Sequence, residues 1–242
     1  MNGFDPTFGA AGPLHRAGAV PDPGVLDGLN RVLSDDGTWV PSPPGPTGAA
    51  GIPGPTGAAG AVGGVAGQIA KISGCRVVGI VGSDEKSRLI QEHFKFDSAI
   101  NYKKALTAKV LQDKIKESCP NGVDVYFDNV GGPISEAVMQ NMNTQGRIVV
   151  CGQIALYNLN KIPKETEIEP LLLARSIAMK GFSVSDFEEQ FPEATQQLSK
   201  WLSEGKIESS ETILDGFANL PKALIGLFSG KNIGKMIVKA AA

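Results

Sequence analysis

Glycine recurs at every third position in the segment Thr56-Gly-Ala-Ala-Gly-Ala-Val-Gly63. Glycine is needed where a chain turns tightly, where backbone approaches a phosphate and where a helix packs closely on a strand. A helical pattern follows at once, and a helix N-terminus offers unpaired N–H groups and a partial positive charge to an anion. The segment therefore predicts a binding site for a dinucleotide pyrophosphate. Its expected contacts are Gly57, Gly60, Ala61, Val62 and Gly63.

The residues after the second predicted strand distinguish between the two nicotinamide dinucleotides. An acidic residue there binds the ribose 2′-hydroxyl of NAD, whereas a basic neighbour accommodates the 2′-phosphate of NADP. Here the strand ends at Gly82-Ser83, and Lys86 lies in the first turn of the next helix. A lysine in that turn opposes the helix dipole by about 0.3–1 kcal/mol, which indicates a use for its charge. We expect Lys86 to select NADPH. The alternative is a solvated lysine balanced by Asp84 and Glu85.

Short apolar runs alternate with helical patterns from Ala61 onward. The first helix, 61–72, has an apolar face of Val62, Val65, Ile69 and Ile72. Predicted strands are 76–81, 99–102, 123–128, 146–151, 178–184, 211–214 and 235–239, and later helices include 193–204 and 220–228. Strands that alternate with helices pair in parallel through right-handed crossovers. The predicted fold is therefore α/β, a doubly wound sheet of the Rossmann type.

The composition changes sharply near residue 55. Residues 1–55 are rich in Gly, Pro and Ala, and we expect them to be low-complexity and disordered because they offer little to offset the cost of ordering. Residues 56–215 are predicted to form the dinucleotide-binding domain, followed by a C-terminal segment, 216–242. The residues just before Thr56 are Gly51-Ile-Pro-Gly-Pro55. Because proline is excluded from central strands, we expect the first strand of the sheet to be missing.

The heptapeptide Gly-Pro-Thr-Gly-Ala-Ala-Gly occurs twice, at Gly45–Gly51 and Gly54–Gly60. Glycine at every third position is also the register of collagen. That alternative, a structural triple helix, rests on this short run alone, and the run leads straight into a helical pattern. We interpret the upstream copy as accidental low complexity and the downstream copy as the functional turn.

Bulk properties exclude several classes of function. The chain has 242 residues and a formal net charge of -2, without the concentrated basic face that nucleic-acid binding requires. Its three cysteines and two histidines lack metal-ligand spacing, so no metal site is expected. Neither a signal peptide nor a membrane-spanning stretch is recognisable, and a cytoplasmic location without membrane association is expected.

Several further segments, in unbroken order with the glycine turn, resemble the prostaglandin reductases. These enzymes belong to the zinc-independent medium-chain dehydrogenase/reductases. The segments are Gly82-Ser-Asp-Glu-Lys86, Ala99-Ile-Asn-Tyr-Lys103, Val123-Asp-Val-Tyr-Phe-Asp-Asn-Val-Gly-Gly132, Cys151-Gly-Gln-Ile154 with Tyr157-Asn158, and Asn232-Ile-Gly-Lys235.

The resemblance implies NADPH-dependent reduction of the carbon–carbon double bond of α,β-unsaturated ketones such as 15-oxoprostaglandins. Hydride is added to the β-carbon, an enolate forms, and the α-carbon is protonated. The resemblance assigns further cofactor contacts to Lys86, Tyr102, Asn129, Cys151, Gly152, Gln153, Ile154, Tyr157, Phe182, Ser183, Val184 and Asn232. Tyr157 is also the candidate catalytic residue, because a phenol can donate to a developing enolate oxygen. The alternative is that Tyr157 bonds only to cofactor ribose or loop backbone.

The chain departs from this family at its N-terminus. Family members carry a complete N-terminal catalytic domain that forms much of the substrate pocket, and here the low-complexity segment stands in its place. We expect a truncated chain that is inactive if the missing walls are essential. One alternative is a non-catalytic NADPH-binding or oligomerising module, such as a homodimer. Another is a short-chain dehydrogenase with a Tyr157-x-x-x-Lys161 pair, although Pro163 and the glycine spacing do not match that family.

Overall fold

The computed structural model describes the backbone of 31–33, 39–41 and 49–52, and the residues 57–155, 168–228 and 230–240. The chain divides into two compact units, Met1–Pro43 and Pro44–Ala242. In the first unit, strand β1 (Arg31–Leu33) pairs antiparallel with β2 (Trp39–Pro41). No helix within the described ranges is both long and apolar enough to cross a membrane.

The second unit contains a six-stranded sheet. Its strands along the chain are β3 (Ala49–Ile52), β4 (Arg76–Val81), β5 (Ser98–Asn101), β6 (Val123–Asp128), β7 (Met142–Val150) and β8 (Ala178–Gly181). In space their order is β5-β4-β3-β6-β7-β8, and every neighbouring pair is parallel. The order along the chain reverses between β3 and β6, which makes a topological switch point. The predicted doubly wound α/β fold is confirmed.

The expectation that the first strand is missing is wrong. Strand β3 (Ala49–Ile52) lies at the centre of the sheet and pairs with β4 and with β6. Pro53 and Pro55 follow its last residue, so neither has to donate a hydrogen bond to the ladder. The strand uses the end of the upstream copy of the repeated heptapeptide. An Ala-Ala-Gly-Ile strand lacks the β-branched and aromatic residues by which strands are recognised, and it lies before the predicted domain boundary at residue 56.

The described part of the chain contains seven helices. They are α1 (Ala61–Ile72), α2 (Asp84–Glu92), α3 (Ala108–Ser118), α4 (Gly132–Met139), α5 (Glu169–Arg175), α6 (Phe191–Ser203) and α7 (Leu220–Phe228). Three 3-10 turns span Tyr102–Lys104, Val184–Gln190 and Phe217–Asn219. A separate parallel pair consists of β9 (Glu211–Asp215) and β10 (Lys235–Lys239).

Both faces of the sheet are covered by apolar packing. One cluster joins Val77, Val81 and Ile90 to Phe94 and Phe96, all at most 4% exposed. The other, larger cluster joins strand residues of β4 to β7 to helices α3 and α4. Burial on both faces explains why β4 has a continuous apolar sequence instead of an alternating one.

Helix α1 turns a different face to the core from the one predicted. Val62, a member of the expected apolar face, is 51% exposed, whereas Gly63, Gly64 and Gly67 are buried. A Cβ atom added at Gly67 would lie 2.0 Å from Cζ of Phe96. The helix approaches the core too closely for side chains on this face, so glycine takes the place that the periodicity assigned to valine and isoleucine.

Candidate functional site

The glycine turn lies after the carboxyl end of β3, at the switch point. Its tight bend is closed by a hydrogen bond from Gly60 N to Gly57 O at 2.7 Å, and all four residues from Gly57 to Gly60 are buried. Helix α1 begins at the next residue, with Gly60 as an N-cap that supplies no side-chain acceptor. The N–H groups of a first helical turn have no partner within the helix, and they carry its partial positive charge. This end of α1 is therefore suited to bind an anion.

Lys86 lies in the first turn of α2. The hydroxyl of Ser83 accepts from Lys86 N at 3.2 Å and caps the helix, which confirms the predicted start. The Lys86 side chain is only 5% exposed. Its ammonium donates to the carbonyl oxygen of Gly230 at 2.7 Å. Burial, and secondarily the charge of Lys103, lower the pKa of Lys86.

Gly82 follows β4 and, having no side chain, leaves room for neighbouring side chains at this strand end. A Cβ atom at Gly82 would lie 3.3 Å from Cε1 of Tyr102 and 3.4 Å from Cε of Lys103. Both side chains therefore reach the backbone of Gly82. Burial raises the pKa of Tyr102, which keeps its hydroxyl protonated as a donor. Lys86 and Tyr102, two predicted site residues, are thus gathered around one strand end. Lys103 joins them, although it was not predicted as a contact.

An apolar cavity of about 360 Å³ adjoins Tyr102. It opens between the start of α3 and the loop that follows β6. Its lining includes Leu106, Val130, Gly131 and Ile134, with few polar atoms. A slot of this size and polarity beside the end of β4 can hold a planar ring by burial of apolar surface.

A buried carboxylate shapes the loop after β6. Asp128, 4% exposed, accepts from the backbone N–H groups of Val130 and Gly131, both at 2.9 Å. It also accepts from the Ser135 hydroxyl at 2.7 Å. The Tyr126 hydroxyl, 2.8 Å from that of Ser135, must then donate to it, because Ser135 has one proton and gives it to Asp128. This network fixes the backbone on either side of half-buried Asn129.

The loop after β7 is hydrogen-bonded to the end of β6. Cys151 N donates to Asp128 O at 2.7 Å, and Gly152 N shares that acceptor at 3.2 Å. A Cβ atom at Gly131 would lie 3.1 Å from Cβ of Gln153, so the two loops touch. Burial and the nearby Asp128 charge raise the pKa of Cys151, so this thiol stays neutral. The predicted segment Cys151 to Ile154 therefore borders the switch point.

Asn232 reaches the glycine turn from the C-terminal part of the chain. Gly234 N donates to Ala59 O at 2.8 Å, and Gly60 and Gly234 form a parallel bridge. Asn232 is 2% exposed, and its amide nitrogen donates to Gly234 O at 2.8 Å. Its Oδ1 has no hydrogen-bond donor among the described residues. A buried acceptor without a donor costs about 1–3 kcal/mol, which points to a ligand group that supplies one.

Two groups of predicted residues are not joined to this cluster. Phe182, Ser183 and Val184 follow β8, at the far edge of the sheet. The predicted strand 178–184 ends earlier, at Gly181, because the Asp186 carboxylate accepts from Ser183 N at 2.8 Å and closes a 3-10 turn. Tyr157 lies outside the described residues, as does the predicted Tyr157–Lys161 pair.

The sequence profile of the family described as "Zinc-binding dehydrogenase" matches residues 61–200. Among curated proteins, the putative NADP-dependent oxidoreductase YfmJ of Bacillus subtilis is 50% identical over 176 residues, 72% of this chain and 51% of that protein. Prostaglandin reductase 1 of Bos taurus is 45% identical over 174 residues, 72% of this chain and 52% of that protein. The chain thus spans about half the length of the curated relatives it matches.

The solved structures agree with this likeness. CurA of Vibrio vulnificus, in complex with NADPH, superimposes with a TM-score of 0.73 at 36% identity, covering 81% of this chain and 57% of that one. Despite the name of the matching family, the described residues contain no group of three or more His, Cys, Asp or Glu side chains that could hold a metal.

Proposed function

Since the chain belongs to the zinc-binding dehydrogenase family, within the medium-chain dehydrogenase/reductases, we propose that it binds NADPH and serves the reduction of carbon–carbon double bonds in α,β-unsaturated ketones such as 15-oxoprostaglandins. The observation that carries the proposal is that Tyr102 and Lys103 reach Gly82 at the end of β4, while Lys86 lies near enough to Lys103 for their charges to interact. A carboxylate at that position would favour NAD, whereas two donors without one favour a 2′-phosphate. Relatives named as NADP-dependent or NADPH-bound support the choice.

The residues that the structure brings together suit the adenosine and pyrophosphate parts of the dinucleotide. The apolar cavity of about 360 Å³ next to Tyr102 suits the adenine ring. The uncapped first turn of α1, with Gly60 to Gly63, suits the pyrophosphate. Asn129 and the loop 151–154 border the switch point. Asn232, whose neighbour Gly234 bonds to the glycine turn, has an Oδ1 without a donor among the described residues. We assign Phe182, Ser183 and Val184 to the nicotinamide end.

NADPH supplies a hydride to the β-carbon of the enone. The protein's own part is to hold the reacting carbons close together and to stabilise the negative charge that develops on the substrate oxygen. We assign the second task to the Tyr157 phenol, which can donate a hydrogen bond to that oxygen. Replacement of Tyr157 by Phe should lower turnover; unchanged turnover would remove Tyr157 from the mechanism.

A second candidate is a non-catalytic module that binds NADPH and associates with another copy. Its support is the apolar surface around β9 and α7, where Ile213 is 55%, Phe217 69% and Leu224 58% exposed. Exposed apolar surface of this kind favours association. Sedimentation of the purified chain at several concentrations tests the homodimer, and a monomer at all of them would count against it.

One paired experiment separates the two candidates. NADPH and NADH are titrated by calorimetry into the purified chain, and NADPH oxidation is followed in the same preparation with an enone such as a 15-oxoprostaglandin. Tight NADPH binding with enone-dependent oxidation supports the reductase. NADPH binding without oxidation supports the module, and equal affinity for both cofactors would contradict the role of Lys86.

The cysteines bear on the location of the protein. Cys75, Cys119 and Cys151 are all free, and burial raises the pKa of Cys119 to about 11. Three unpaired thiols suit a reducing compartment, so we place the protein in the cytoplasm. Cell fractionation tests this placement.

A further inference from the structure

The Lys103 side chain folds back over the end of β4. Its Cε atom lies 3.4 Å from the position that a Cβ atom would take at residue 82. The lysine stem thus occupies space that the side chain of a larger residue would fill. The backbone holds it there, because Asn101 Oδ1 accepts from Lys103 N at 3.2 Å and caps the 3-10 turn. The stem is therefore directed toward the crevice at this strand end.

Its neighbour Lys104, in contrast, forms an ion pair. Lys104 Nζ pairs with the Asp84 carboxylate at 2.6 Å, and Asn101 Nδ2 donates to the same carboxylate at 2.9 Å. That acid is thus already engaged by two donors. Within the part of the chain that the structure describes, no carboxylate lies within ion-pair distance of Lys103.

Two like charges are consequently brought together at one strand end. After burial, the charge of Lys103 is the next cause of the lowered pKa of Lys86, and Glu85 opposes it with a smaller effect. Like charges held close together are unfavourable unless an anion lies between them. The nearby Tyr102 hydroxyl adds a neutral donor to the same space.

From this arrangement we propose that Lys103 is a third ligand of the 2′-phosphate, so that Lys86, Tyr102 and Lys103 surround a phosphate monoester above Gly82. A monoester dianion offers three acceptor oxygens, which matches two ammonium groups and one phenol. The inference rests on the proposed binding of NADPH and adds a residue that determines specificity.

The test uses adenosine 2′,5′-bisphosphate, which carries the 2′-phosphate, and 5′-AMP, which lacks it. Both are titrated into the full chain and into Lys103→Gln, with Lys104→Gln as the matched control. Lys103→Gln should weaken binding of the bisphosphate by about tenfold, as expected for a lost charge-assisted hydrogen bond. Binding of 5′-AMP should be unchanged, and Lys103→Arg should restore most of the affinity.

The outcomes distinguish a failure of this inference from a failure of the NADPH proposal on which it rests. If the unmodified chain prefers the bisphosphate but the Gln variants at 103 and 104 bind it equally, Lys103 is not a ligand and NADPH binding stands. If the unmodified chain does not distinguish the bisphosphate from 5′-AMP, the NADPH proposal fails and this inference fails with it. Thermal unfolding of each variant shows whether a loss of affinity reflects a loss of fold.

Discussion

The ammonium of Lys86 donates to the carbonyl oxygen of Gly230 across the boundary between the nucleotide-binding sheet and the C-terminal segment. Gly234, four residues further on, is hydrogen-bonded to Ala59 in the glycine turn. The segment from 230 to 234 therefore touches both elements to which we assign the cofactor phosphates. An ammonium has three N–H donors, so Lys86 can donate to the proposed 2′-phosphate while it keeps its hydrogen bond to Gly230 O.

The charge of Lys86 should make NADPH affinity depend on pH. The pKa of Lys86 lies below the ordinary value of 10.5, chiefly because the side chain is buried. As pH rises through that lowered pKa the ammonium loses its proton, so affinity for NADPH should fall. The affinity for NADH, which has no 2′-phosphate, should stay the same across this pH range. Lys86→Arg should extend NADPH binding to higher pH, because a guanidinium keeps its charge. Calorimetry at several alkaline pH values checks this, and a parallel decline for both cofactors would contradict it.

Gly82 should control the choice of cofactor. Gly82→Asp places a carboxylate where it can accept from a ribose 2′-hydroxyl and where it repels a 2′-phosphate. Tyr102 and Lys103 must move slightly, since their atoms lie 3.3 Å and 3.4 Å from the new Cβ. We expect the ratio of NADPH to NADH affinity to fall by about 100-fold, roughly 2.7 kcal/mol. Gly82→Asn, which has the same shape without the charge, is the control; an equal effect would show that the cause is steric.

The glycine face of α1 should be intolerant of larger residues. In Gly67→Ala the new methyl group would overlap the Phe96 ring, at 2.0 Å from Cζ. Overpacking of this kind lowers the free energy of unfolding by about 1–3 kcal/mol. Val62→Ala, at a half-exposed position of the same helix, should change it by less than about 0.5 kcal/mol. Urea unfolding measures both.

A double variant tests whether the Phe96 ring is the cause of the stability that Gly67→Ala loses. Gly67→Ala combined with Phe96→Leu should be less destabilised than the sum of the two single changes, because the smaller side chain makes room for the methyl group. Strict additivity would show that the Phe96 ring is not what the methyl group meets.

Asp128 should stabilise the loop that carries Asn129. In Asp128→Ala the N–H groups of Val130 and Gly131 lose their acceptor, at a cost of about 1–3 kcal/mol. NADPH and NADH affinity should fall together, since the loop borders the crevice and not the 2′-phosphate. Asp128→Asn keeps one oxygen for both N–H groups and should be milder.

The control for this change is an exposed acid. Asp113 pairs with Lys109 within α3 on the surface, and exposed pairs contribute less than about 1 kcal/mol. Asp113→Asn should therefore leave stability and affinity unchanged. If Asp128→Ala altered the preference between the two cofactors, the buried network would act on the 2′-phosphate site after all.

Much of the site was predictable from the sequence because its signals are local. The helix 61–72, the strand 76–81 and the cap at Ser83 depend on residues within a few positions of one another, and the structure has each of them. Once these elements alternate, the parallel sheet and its switch point follow. The family likeness then supplied residue roles that no single segment carries.

The tertiary structure alone decided the rest. A short Ala-Ala-Gly-Ile segment becomes the central strand β3 only because β4 and β6 pair with it on both sides. The buried face of α1 is set by how closely Phe94 and Phe96 approach, which its own periodicity does not contain. The bond from Lys86 to Gly230 likewise joins residues that are distant in the sequence. The position of Lys103 is set by the turn that Asn101 caps. Local sequence determined which elements form and which chemical groups they carry. Packing between distant segments determined which side chains meet, because burial and hydrogen-bond geometry exist only in the folded chain.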